Sequence, residues 1–71
     1  MNVREAADLL SNAKELVIAW DGVCIPFNPH SILEMDAFGD YRVHKICQAF
    51  EMNTFELELE MHPIKESMHK D

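Results

Sequence analysis

Asp21-Gly22 stands between two short apolar runs, KELVIAW and VCIPF, and constrains the fold more than any other pair of residues in the chain. Gly accepts the positive φ that a type I′ turn requires and Asp tolerates it, so two strands joined by a two-residue turn are predicted here. That loop length sets the register: Trp20 faces Val23, Ile18 faces Ile25, and Leu16 faces Phe27. Val17, Ala19, Cys24 and Pro26 then share the opposite face. Both faces are apolar, so the hairpin needs cover on each side, from its own chain or from another molecule. Pro26 has no N–H to donate, which places its strand at an edge.

Around this hairpin the remaining elements read in order. Asn2 caps a first helix over NVREAADLLSNA, with Glu5 three residues on in the position that completes a capping box. Val3, Ala6, Ala7, Leu10 and Ala13 recur at helical spacing as a stripe of small residues suited to lying close on a sheet. The words VREAADLL resemble the first helix of excisionase-type and MerR-type helix-turn-helix domains. Those families continue with a turn and a basic recognition helix, whereas this chain continues with ELVIAWDGVCIPF, so the likeness carries the helix alone. Ser31 and Glu34 make a second capping box and Gly39 a stop, predicting a short helix whose Ile32, Leu33, Met35 and Phe38 cover one end of the core.

The last third, YRVHKICQAF-EMNT-FELELEM, reads as a second hairpin turning near Asn53-Thr54. Phe55, Leu57, Leu59 and Met61 fall on one face with Ile46 and Phe50. Glu56, Glu58 and Glu60 fall on the other, beside Lys45, Cys47, Ala49 and Val43. The expected fold is a small α+β domain, α-β-β-short α-β-β, with the N-terminal helix packed on a mostly antiparallel four-stranded sheet. Residues 1–63 form the expected domain, Pro63 ends the last strand, and 64–71 read as a flexible tail.

Size and charge narrow the function. Seventy-one residues, 48% of them hydrophobic, build one domain near the lower limit for a self-sufficient core, which makes self-association or a partner expected. No signal peptide and no run of about 18 apolar residues is present, which points to a cytoplasmic setting with reduced thiols. The net charge is −7, and no Lys or Arg lies between Lys14 and Arg42. Direct nucleic-acid binding, which relies on clustered Lys and Arg, is not expected.

The chemistry-bearing residues do not assemble into a reaction motif. Cys24, Cys47, His30, His44, His62 and His69 lack the close pairs that zinc sites use, and the nearest pair, His44 and Cys47, would point to opposite faces of a regular strand. Neither cysteine sits at a helix N-terminus, and exposed Glu56, Glu58 and Glu60 lack the burial that acid–base pairs require. No metal site, no cofactor and no enzyme activity is expected. Two binding readings remain. The first is an interaction protein that self-associates through Val17, Ala19, Trp20, Cys24, Val43, Cys47 and Ala49. It binds a protein partner through an acidic sheet surface of Glu51, Glu56, Glu58 and Glu60. In the alternative, the carboxylate row, at about 6.5–7 Å per step, imitates successive phosphates and blocks a DNA-handling enzyme. Small acidic inhibitors of that kind are similar to this chain in size and charge.

Overall fold

The computed structural model describes residues 1–49 and 52–65. Six elements follow one another: α1 (Val3–Leu9), β1 (Glu15–Trp20), β2 (Val23–Phe27), α2 (Ile32–Phe38), β3 (Val43–Gln48) and β4 (Thr54–Leu59). They form the expected small α+β fold. The four strands lie in the order β2-β1-β4-β3, with antiparallel pairs at both sides of the sheet and a parallel pair, β1 with β4, at its centre.

The first hairpin has the register its loop length dictates, Leu16 opposite Phe27, Ile18 opposite Ile25 and Trp20 opposite Val23. Asp21 and Gly22 both take positive φ, 53° and 78°, as a type I′ turn demands. β2 is an edge strand, in keeping with Pro26. In the second hairpin Ile46 faces Leu57, Cys47 faces Glu56 and Lys45 faces Glu58. Phe50 and Glu51 lie outside the described residues.

Both helices cover one face of the sheet. Val3, Ala6 and Ala7 of α1 pack on Leu16, Ile18, Phe27, Leu57 and Leu59, and this group is the buried core. Ile18 and Leu57 are wholly inside, and burying such a side chain contributes about 1.5–3 kcal/mol. From α2 only Met35 and Phe38 reach the core; the Phe38 ring meets Phe27 edge-on at 6.1 Å. Ile32 and Leu33 were expected to cover the core end, but they are 78% and 81% exposed. Leu33 is two positions from Met35, on the opposite side of a seven-residue helix, and Ile32 is its first residue.

Capping residues anchor both helices. The Asn2 side chain accepts from Glu5 N–H (2.8 Å) and the Asn2 N–H donates to the Glu5 carboxylate (2.9 Å), a complete capping box around a fully buried asparagine. At α2 the Ser31 hydroxyl accepts from Glu34 N–H, but the Glu34 carboxylate takes the Asn28 N–H at 2.7 Å, so the box is only half formed. Gly39 ends α2 in a right-handed conformation. Its small size serves a close approach instead of a left-handed turn: an added Cβ would stand 2.5 Å from the Met35 carbonyl oxygen. Val3 and Arg4 N–H, at the start of α1, donate to the carbonyls of Tyr41 and Gly39.

Two features near β3 depart from the expectation. A bulge between Val43 and Lys45 shifts the ladder, and Val43, opposite Leu59, packs on the core and not beside the carboxylates. Ile64 and Lys65 also stay in contact with the domain: Arg42 N–H donates to Ile64 O at 2.7 Å, and Tyr41 bridges Lys65. Residues 66–71 lie outside the described residues.

Leu57→Ala is expected to lower the unfolding free energy by about 2–5 kcal/mol in urea titration, because it empties the centre of the core. Asn2→Ala is expected to cost about 1 kcal/mol or more by the same measurement, since it removes the cap and leaves the Glu5 N–H without its acceptor.

Candidate functional site

The face of the sheet away from the helices is the distinctive surface of the molecule. Register places two rows of side chains across its four strands. Pro26, Val17, Glu56 and Cys47 form one row; Cys24, Ala19, Glu58 and Lys45 form the next. Neighbours within a row stand about 4.8 Å apart. No described element packs over them. The β2–β1 half is therefore apolar, the β4 column is acidic, and β3 supplies one ammonium group and one thiol. Because β4 is an inner strand, Glu56 and Glu58 lie in the middle of this face. The sequence pattern places the carboxylates on one face of the last strand but not that strand inside the sheet.

The structure brings together only part of the residue set expected for association. Val17, Ala19, Cys24 and Cys47 share the open face. Val43 is turned to the core by the bulge. Trp20 lies on the helix-side face with Ile18, half-exposed beyond the reach of α1, where its indole N–H donates to the Met61 carbonyl at 2.7 Å. Ala49 follows β3 and donates its N–H to Thr54 O. Of the acidic set, Glu60 lies past the end of β4, with its carboxylate 4.0 Å from the Arg42 guanidinium. Met61, placed by alternation with the core residues, is also past the strand and is 67% exposed. Pro26 is a member of the face that hairpin register already indicated.

A second concave feature, a cleft of about 630 Å³, opens between α1, the start of β1 and the Asn28–His30 turn. It lies where α1 ends at Leu9, at the margin of the core beside Leu16 and Phe27. Its lining mixes apolar residues with Asp8, Lys14, Glu15 and His30; of its other charged groups, Arg4 pairs with Asp40 at 3.2 Å and Glu5 holds the Asn2 N–H. Among the described residues, no three His, Cys, Asp or Glu side chains come together as metal ligands, although the bulge falls at His44. No described helix is long and apolar enough to cross a membrane. Cys24 and Cys47 are free thiols on opposite edge strands, three strand spacings apart, which is about 14 Å and too far for a disulfide.

No protein-family model, curated protein or solved structure matches the chain. The site is therefore read from its own geometry.

An open face has a direct chemical signature. Cys24, which is exposed, is expected to alkylate in the native protein several-fold faster than half-buried Cys47. Mass spectrometry of a timed iodoacetamide reaction checks this; protection of both thiols at high dilution would mean the face is covered within the chain.

Proposed function

We propose that this is a small non-enzymatic interaction protein that binds a protein partner on the open face of its sheet. The observation that carries the reading is the placement of both helices on one side, which leaves Pro26, Val17, Ala19 and Cys24 outward beside Glu56 and Glu58. Sheets with one solvated face normally alternate apolar-in and polar-out; here β1 and β2 are apolar on the outward face as well. A partner surface that fits has a Lys or Arg to meet the two carboxylates and aliphatic groups to cover the β1–β2 half. Desolvating the carboxylates against such a base supplies specificity, while apolar contact supplies affinity.

The DNA-mimic reading has less support. Only Glu56 and Glu58 stand in line on β4, Lys45 stands across from Glu58, and Glu60 is off the strand near Arg42. An interrupted row of two is a poor copy of a phosphate backbone.

The test is site-specific crosslinking in cell extract. A photoreactive group attached at Cys24 or at Cys47 is expected to capture one common protein, and the same group placed at Leu33 on the helical side is not. Val17→Lys should weaken that binding by about tenfold or more, and Glu56→Gln with Glu58→Gln should reduce its salt sensitivity. Capture from Leu33 alone, or binding indifferent to Val17→Lys, would sink the reading.

A further inference from the structure

The two edges of this sheet are defended unequally. On β2, the two-residue turn makes Trp20–Val23 a hydrogen-bonded pair, so alternation points the backbone groups of Cys24 and Pro26 outward. Pro26 has no N–H at that outward position, and an added strand would lack a donor there. Among the described residues β3 has no proline, and beyond the bulge at His44 its ladder is regular from Lys45 to Gln48. Ala49 N–H donates to Thr54 O at 2.7 Å, so in the same ladder Cys47 and Lys45 address β4, while Ile46 and Gln48 direct their N–H and C=O groups away from the sheet. At its start β3 is covered: Val43 N–H donates to Met1 O, and Asn2 bridges Arg42. The bulge at His44 breaks the alternation, so the regular open stretch is 45–48. It carries Ile46, which is 38% exposed on the core side although it lies beside fully buried Leu57.

We propose that a second copy of the chain adds here, β3 against β3, antiparallel about a two-fold axis at Ile46. The stretch is self-complementary in that register. Ile46 meets its own copy and extends the Leu57–Ile46 row of the core across the axis. Lys45 stands opposite Cys47 of the second copy, and Gln48 falls opposite the bulge at His44. The regular stretch 45–48 is used without reaching the backbone that Met1 and Asn2 already hold. Moving the axis to Lys45 would set two ammonium groups directly opposite each other, and moving it to Cys47 would leave each Ile46 facing a glutamine. An isologous pairing of this kind closes the edge and joins two four-stranded sheets into one. It leaves the Val17–Glu56 face free, so it stands apart from the partner reading. A strand this short buries less than the roughly 800 Å² per partner of a standard stable interface, so the dimer is weak and concentration-dependent.

Sedimentation over a concentration series, paired with amide hydrogen exchange by NMR, tests this on the intact chain. The expected result is a monomer–dimer equilibrium in which the Ile46 and Gln48 amides slow as concentration rises. Ile46→Lys, which sets two ammonium groups together, and, separately, Gln48→Pro, which removes an outward N–H, should each weaken association by about tenfold or more. The exchange readout uses the unaltered protein, so it stands if a variant does not fold. A monomer at millimolar concentration overturns the proposal. So does association that leaves those two amides fast, and so does protection of them only when a different protein is added.

Discussion

Parallel pairing of β1 with β4 joins two hairpins that no short loop could bring together. Each hairpin is a local structure, closed by its own turn, and an isolated hairpin is marginal in water. The pairing sets Leu16 beside Phe55 and Ile18 beside Leu57, producing one apolar surface wide enough for α1. The closure spans most of the chain, yet loop entropy grows only slowly with length, and burial of Ile18 and Leu57 offsets it. The same pairing puts Val17 beside Glu56 and Ala19 beside Glu58 on the reverse side. Core and candidate site are two sides of one register. A slip by a single residue would exchange them.

The helices are held by backbone groups at their meeting point. The first N–H groups of α1 have no partners within the helix; those of Val3 and Arg4 find the Tyr41 and Gly39 carbonyls just past α2. Gly39 permits that approach. The chain start then runs along β3 as far as Val43, which ties the N-terminus, the end of α2 and the third strand into one corner. This corner sits on the helix side and uses few charged groups, so most carboxylates remain on surfaces that solvent or a partner can reach.

Whatever was decided by neighbours in sequence could be read in advance. Asp21-Gly22 specified the turn and the register of its hairpin, Asn2 with Glu5 specified the start of α1, and Pro26 marked an edge. Glu56 and Glu58 were correctly placed on the same face as Cys47 and Lys45. Decisions made by distant contacts were not legible. Nothing local says that β4 lies inside the sheet against β1, so the central position of the carboxylates on the open face was not legible. The bulge at His44 has no glycine to announce it, and it reverses Val43. Ser31 and Glu34 match a capping box, yet Asn28 competes for the carboxylate, and no residue pattern tells that Ile32 and Leu33 turn outward. The candidate face could be listed only in part, because Trp20 was grouped with residues on the far side of its own strand.

The β1–β4 register decides both the core and the open face, and through-space NMR contacts between those strands measure it directly. Side-chain contacts from Val17 to Glu56 and from Ala19 to Glu58, with Leu16–Phe55 and Ile18–Leu57 contacts on the opposite face, are the expected result. Contacts from Val17 to Leu57, or an antiparallel pattern joining Trp20 to Thr54, would contradict it. Either would turn the carboxylates toward the helices or take β4 out of register, and the open face described above would not exist.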